Sequence, residues 1–241
     1  MFNPELLTGV EGWLTLAEAQ RLYAAACQAT DGRSEIIAVE IGSWKGRSTI
    51  ALAAGLRERG AGRLFAIDPH TGSIEHRKNG VPVDTFAEFS ANVRRAGLEN
   101  WVVPLRKTAH EARAEFEAGS VSVLFIDGSH EYADVLVDID DWLPTLRAGA
   151  VVGFNDPGYP GVSRALGERV ARSGGTLVEP AIVRGTLFMR YRPPEKLSGP
   201  DARGLQKRLQ RENIKHAIKG SLPAPVRRAA VSALAVVRGG S

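Results

Sequence analysis

The 241-residue sequence predicts an α/β fold: a doubly wound, mostly parallel seven-stranded sheet that ends in an antiparallel C-terminal strand hairpin. Three observations predict it. Short apolar runs alternate five times with helix-patterned segments, the order that parallel strands with helical crossovers require. The runs are continuously apolar rather than alternating, as in strands covered by helices on both faces. Polar residues recur where successive runs end, at Glu40, Asp68, Asp127 and Asn155-Asp156. That is the edge at which open α/β sheets bind ligands.

The elements follow in order. Thr15-Leu-Ala-Glu18 has capping-box spacing, and Leu16, Ala19, Leu22 and Ala26 continue it at helical intervals, with Cys27 as a small core residue of the same helix. Glu35 to Ile41 is a strand that ends in a glycine turn, and Ser48 to Leu56 a helix. Leu64 to Ile67 is a second strand, and Asp84 to Ala96 a helix opened by another capping box, Thr85-x-x-Glu88. Val102 to Leu105 is a strand, Glu111 to Glu117 a helix, Val121 to Ile126 a strand and Tyr132 to Trp142 a helix. Leu146 to Gly149 is expected as a loop before a strand at Ala150 to Phe154. A helix over Val162 to Ala171 precedes two consecutive strands, Thr176 to Ile182 and Gly185 to Tyr191.

Composition excludes several classes. With 44% apolar and 24% charged residues the chain is neither disordered overall nor collagen-like, and it is long enough for a substantial core. Its single cysteine excludes an intramolecular disulfide. No apolar run reaches transmembrane length and the first ten residues lack a basic signal-peptide start, so a cytoplasmic protein is expected. The formal charge of +4 is unevenly spread. Residues 193–241 hold ten Lys/Arg against three Asp/Glu, a local excess of seven, which leaves residues 1–192 net negative by three. An acidic body argues against nucleic acid as a partner. The expected division is a body over residues 1–192 and a basic helical extension over 193–241.

The glycine turn Glu40-Ile-Gly42-Ser43-Trp-Lys-Gly46 selects its ligand by spacing. It lacks the third glycine of a dinucleotide site, and its second glycine comes too early for a P-loop. Glu40 would repel a phosphate and suits a ligand with a cationic or amine-bearing end. Glu40-x-Gly42-x-x-x-Gly46, with Asp68 closing the next strand, resembles the class I S-adenosylmethionine-dependent methyltransferases over roughly residues 35–192. The resemblance implies a Rossmann-like methyltransferase fold and a cofactor site. In it Gly42 and Ser43, with Gly46 completing the turn, line the methionine part, and Glu40 faces its amino end. Asp68 takes both ribose hydroxyls, Thr108 contacts the adenine, and Asp127 borders the cofactor.

A second constellation follows two neighbouring strands. Asp127, Asn155 and Asp156 offer oxygen ligands only, a donor set that suits Mg²⁺ with positions left open for a substrate. This arrangement resembles the metal-dependent O-methyltransferases acting on sugars and natural products. It implies that the metal holds two adjacent acceptor oxygens, with Asn155 departing from the double-carboxylate version of the pair. His130, three residues past Asp127, is the candidate base for the acceptor hydroxyl, with Asp127 as the alternative base.

The stretch from Pro69 to Asp84, with His70, His76, Arg77, Lys78 and glycines 72 and 80, is either a lid over the acceptor, a solvated loop or a dimer contact. Asp134, Asp138, Asp140 and Asp141 are expected on a solvated helix face. In the tail, Gln206 to Lys219 and Pro223 to Val237 are helix-patterned, the second amphipathic. Packing on the body or on a dimer mate is the first reading of that tail, and contact with a membrane surface the second. The sequence therefore leads to an S-adenosylmethionine- and Mg²⁺-dependent O-methyltransferase. Its acceptor is a small-molecule or oligosaccharide hydroxyl, such as an actinobacterial mannoside or a macrolide sugar, and it is expected as a homodimer. The alternatives are a metal-independent methyltransferase with His130 as base, and a nucleotide- or ligand-binding module without chemistry.

Overall fold

The structure, a computed structural model, describes residues 1–29, 35–72, 82–172 and 175–193. Seven strands form one sheet: β1 (Ile37–Ile41), β2 (Arg63–Ile67), β3 (Val102–Leu105), β4 (Val121–Ile126), β5 (Leu146–Asn155), β6 (Leu177–Val183) and β7 (Thr186–Tyr191). Their order is β3-β2-β1-β4-β5-β7-β6. β1 pairs in parallel with β2 on one side and β4 on the other, so the winding reverses between them. A crevice at such a reversal is where this class of sheet binds ligands. β7 runs antiparallel between β5 and β6.

Among the described residues six α-helices cover the faces: α1 (Leu16–Cys27), α2 (Arg47–Arg59), α3 (Phe86–Arg95), α4 (Ala109–Ala112), α5 (Tyr132–Trp142) and α6 (Pro160–Arg172). Every residue of β4 is buried, and alternate residues enter different cores. Val123 and Phe125 join the α1–α2–α3 core, whereas Leu124 and Ile126 join the α4–α5–α6 core. Burial on both sides is why this strand is a continuous apolar run in the sequence. The same alternation in β1 sends Val39 and Ile41 to the α5 side and turns Glu40 towards α2.

The α1 capping box forms as expected, with Thr15 and Glu18 bonded reciprocally. The expected box at Thr85 does not. Thr85 is the N-cap of α3 but makes no side-chain cap bond, because its hydroxyl is bonded to His70 Nδ1 at 2.8 Å. The helix expected over Glu111 to Glu117 starts earlier and is shorter. Thr108 caps α4 in a box with Glu111, and a 3-10 turn, Arg113–Glu115, follows. Leu146 to Gly149, expected as a loop, lies inside β5. Leu146 pairs with Val121 and Val151 with Val123, so residues 147–150 bulge out of the ladder, with Gly149 at a φ of 80°. Cys27 is a half-buried free thiol with Sγ 3.5 Å from the Gly55 carbonyl, in keeping with a packing role. Residues 73–81 of the expected lid, and both expected tail helices, lie outside the described residues. Among the described residues no helix is long and apolar enough to cross a membrane.

Candidate active site

The glycine turn links β1 to α2 directly beside the end of β4. Gly42 has a φ of 83°, and a Cβ there would lie 2.1 Å from the Asp127 carbonyl oxygen. Its N–H bonds to Ile67 O at 2.9 Å, while Asp127 N–H bonds to Ile41 O at 2.8 Å. The chain thus has no room for a side chain at the point where β1, β2 and β4 converge. The absent Cβ at Gly42 is required by protein backbone, a reason distinct from the ligand approach expected of it. Gly46 is the N-cap of α2 with a φ of 90°, and no side chain caps that helix. Arg47 instead draws the N-terminal segment over the turn, donating to Leu14 O (2.8 Å) and Val10 O (2.9 Å).

Asp68, just past β2, holds the turn in place. Its Oδ2 accepts from Ser43 N–H at 2.9 Å and Trp44 N–H at 2.8 Å, and its Oδ1 from His70 N–H at 2.6 Å. A carboxylate offers about four acceptor sites, so one remains beyond these three. His70 is buried at a φ of 60°, ringed by Phe86 and Phe89. Burial lowers its pKa, and nearby Arg106 lowers it further against the opposing pull of Asp68. Thr108 is exposed at the mouth of β3, and its hydroxyl is bonded to Glu111 at 2.7 Å.

Glu40 is fully buried on β1. Its Oε2 accepts from the Thr49 hydroxyl at 2.5 Å. Burial pushes its carboxyl up to about 7, against the hydroxyls of Ser48, Thr49 and Ser43, which favour the ionised form. Glu40 Oε1 and Ser43 Oγ are buried without a hydrogen-bond partner. Such orphaned oxygens are costly unless a ligand supplies donors. An amine-bearing ligand end would supply donors to both oxygens.

The second constellation assembles at the ends of β4 and β5. Asp127, His130 and Asp156 each bring a ligand atom within 4.8 Å of the others. His130 Nε2 lies 3.3 Å from Asp156 Oδ2, and the imidazole stacks on Tyr159 with ring centroids 4.2 Å apart. Burial drives the Asp127 carboxyl well above the usual carboxylate range. The Asn155 hydrogen bond opposes this, and the charges of Asp156 and Glu40 add to it. A divalent cation among these groups would offset that cost, so the residues present fit one. Asn155 lines the same cavity as Asp127 and His130. Its Nδ2 donates to Asp127 Oδ1 at 2.9 Å, and its Oδ1 faces the Thr186 hydroxyl at 2.9 Å. His130 thus joins the two carboxylates, with Asn155 bonded to Asp127 beside them.

Of the four aspartates expected on a solvated face, Asp140 pairs with Arg169, Asp141 with His110 and Asp134 with Ser129. Asp138 turns inward beneath Gly128 instead. Burial, with the charges of Asp134 and Asp141, pushes it up to about 7. Sequence reasoning missed three contributors to this site. Tyr159 supplies the platform for His130. Gly161, at the start of α6, would place a Cβ 2.1 Å from the His130 carbonyl oxygen. Thr186, fully buried on β7, faces Asn155 in the β5–β7 register. The Pro160-Gly161 pair was a readable helix-start signal, whereas nothing local marks Thr186.

Comparisons with known proteins agree with this architecture. Residues 39–157 match the Methyltransf_24 family, described as a methyltransferase domain. The O-methyltransferase NovP superposes with a TM-score of 0.63 at 18% identity, covering 73% of this chain and 80% of its own. TomG of Streptomyces achromogenes, an O-methyltransferase solved with S-adenosylmethionine, gives 0.53 at 18% identity, covering 74% and 82%. CalS11, a TDP-rhamnose 3'-O-methyltransferase of calicheamicin biosynthesis, gives 0.52 at 17% identity, covering 79% and 87%. A curated relative, the uncharacterized protein y4gI of Sinorhizobium fredii, is 46% identical over 52 residues. That match spans 22% of this chain and only 6% of the much longer relative. Residues 39–157 thus carry this methyltransferase-domain match, on the fold shared with the O-methyltransferases above.

Proposed function

We propose that the protein is an S-adenosylmethionine-dependent O-methyltransferase that uses Mg²⁺ to methylate a hydroxyl of a sugar or glycosylated metabolite. The observation that carries this reading is the Asp127–His130–Asp156 cluster, which stands beside the glycine turn at the reversal of the sheet. The sugar class is supported by the neighbour CalS11, whose acceptor is a TDP-rhamnose. A cytoplasmic homodimer is part of the same proposal.

S-adenosylmethionine supplies an electrophilic methyl group, which the acceptor oxygen takes as the carbon–sulfur bond breaks, leaving S-adenosylhomocysteine. Mg²⁺ would supply positive charge beside the acceptor hydroxyl, lowering its pKa. The residues of the chain do the rest. Glu40 and Ser43 receive the amino end, Asp68 keeps an acceptor site for the ribose, and Thr108 borders the adenine side. Asp127 and Asp156 hold the cation, with Asn155 as the third oxygen. His130 accepts the hydroxyl proton, and Asp156, 3.3 Å from its Nε2, stabilises the imidazolium.

Calorimetric titration of S-adenosylhomocysteine, followed by methyl transfer to a panel of nucleotide sugars and glycosides with and without chelator, tests the reading. Binding and chelator-sensitive turnover are expected. Chelator-insensitive turnover would favour His130 acting without a metal, and binding without turnover on any acceptor would favour a non-catalytic module.

The Glu40 assignment has its own test. Its carboxyl is raised to about 7 in the folded protein, so it contributes unfavourably as pH rises from the ordinary carboxylate range through that value. A cationic amino end pulls the pKa back down, so ligand binding releases a proton. Affinity for S-adenosylhomocysteine is expected to rise up to about tenfold per pH unit below pH 7 and to level off above it. Glu40→Gln should bind more weakly and show a flat profile. An unchanged slope in that variant would remove Glu40 from the cofactor site.

A further inference from the structure

Glu18 lies on α1, outside the cluster, and is buried to 3% exposure. Its capping duty uses one oxygen: Oε2 accepts from Thr15 N–H at 2.8 Å and from the Thr15 hydroxyl at 2.6 Å. The other oxygen looks the opposite way. Oε1 accepts from Gly185 N–H at 2.8 Å and lies 3.0 Å from Thr186 Oγ1. Thr186, fully buried, touches Asn155 Oδ1, and Asn155 touches Asp127. A continuous polar chain therefore runs from the start of α1 through the β6–β7 turn to the candidate cation site.

Proton counting in that chain leaves a conflict. A threonine hydroxyl carries one proton, and Thr186 faces two acceptors, Glu18 Oε1 at 3.0 Å and Asn155 Oδ1 at 2.9 Å. Only one of them can receive it. Rotating the Asn155 amide by 180° removes the conflict: its NH₂ then donates to Thr186 Oγ1, and Thr186 donates to Glu18. The same rotation turns the amide oxygen towards Asp127 Oδ1, where two facing oxygens repel unless a cation or a proton lies between them.

We propose that Glu18 is a positioning residue that acts through Thr186 to bias the Asn155 amide towards the orientation in which its oxygen faces Asp127. In that orientation Asp127, Asn155 and Asp156 present a complete oxygen set to a divalent cation. The inference rests on the Mg²⁺ reading of the cluster. With no cation, the Asn155 NH₂ satisfies Asp127, as the structure shows. With a cation, the amide rotates and the relay to Glu18 becomes fully paired. Glu18 thus lowers the cost of the cation-bound arrangement without touching the cation.

The probe is Mn²⁺, followed by paramagnetic resonance and calorimetry on the full chain, with no acceptor. Thr186→Val keeps the shape of the side chain and removes the relay. It is expected to weaken Mn²⁺ binding about tenfold or more, as losses of ligand-orienting partners do. Thr186→Ser, which keeps the hydroxyl, is expected to bind as the wild type does. Glu18→Gln should weaken binding comparably, and the double variant Glu18→Gln/Thr186→Val should be no weaker than Thr186→Val alone, since both act on one amide. In the wild type the Asn155 side-chain NH₂ resonances should shift on Mn²⁺'s diamagnetic substitute Mg²⁺, and in Thr186→Val they should not.

Affinity for S-adenosylhomocysteine is the folding control, because the polar contacts of Asp68 and Ser43 are to groups other than Glu18, Thr186 and Asn155. A Glu18→Gln variant that melts earlier yet binds Mn²⁺ like the wild type would reduce Glu18 to a helix cap and overturn the inference, while leaving the metal reading intact. Wild-type protein that binds S-adenosylhomocysteine but neither Mn²⁺ nor Mg²⁺ would overturn both.

Discussion

His130→Ala is expected to lower turnover about 10²- to 10⁴-fold, the usual contribution of a positioned general base, and to leave S-adenosylhomocysteine binding unchanged. The ring is held for that task on two sides. Tyr159 stacks on its face at 4.2 Å, and Asp156 lies 3.3 Å from Nε2. Asp127→Ala should behave differently, removing both the Mn²⁺ signal and turnover, because that carboxyl supplies one of the cluster's two acidic ligands. A single-turnover measurement on each variant separates the two roles. Turnover of His130→Ala within a few-fold of the wild type would hand the base role to Asp127. Turnover of Asp127→Ala near the wild-type level would remove the cluster from the chemistry altogether.

Gly42→Ala is expected to cost at least about 3 kcal/mol of folding stability, or to prevent folding. Two effects combine. An alanine at a φ of 83° pays about 1–2 kcal/mol for the left-handed conformation. Its Cβ would also sit 2.1 Å from the Asp127 carbonyl oxygen and 2.9 Å from Gly128 Cα. Neither atom belongs to a side chain that can swing away, so relief requires β1 and β4 to part at the centre of the sheet. Gly60→Ala is the matched control, with a φ of 75° and nothing within 4 Å of the added carbon. It should show the conformational cost alone. Denaturant midpoints for the two variants measure the difference. Equal losses would mean that the strand ends at Gly42 are looser than the contact implies.

Much of the fold was legible because local patterns and tertiary demands agree. The two-sided burial of β4 produces an apolar run broken only by Ser122, so its bounds, Val121 to Ile126, were found from sequence alone. The bounds of β3 and α5 were found in the same way. Where a distant partner intervened, the local pattern misled. Thr15 and Thr85 both open capping-box sequences. The first closes its box with Glu18, whereas the second gives its hydroxyl to His70, fifteen residues earlier. No window on the helix itself contains that competitor. Leu146 resembles the start of a loop because Arg147 to Gly149 follow it, yet pairing with Val121 makes it the first residue of β5.

The candidate site divides along the same line. The acidic and amide residues at the strand ends were visible because sheet topology places such positions on one edge. Their pairing was not. That Asn155 donates to Asp127, that His130 joins the two carboxylates, and that Glu18 reaches the cluster through Thr186 all depend on side chains from different elements. By itself, the sequence determined the order and type of the elements and the chemistry available at the sheet edge. Both follow from periodicity and residue type along the chain. The tertiary structure alone decided which donor meets which acceptor. Hydrogen bonds are made over about 3 Å, and Glu18 and Thr186, 168 residues apart in the chain, come within that reach only after the sheet has closed around β7.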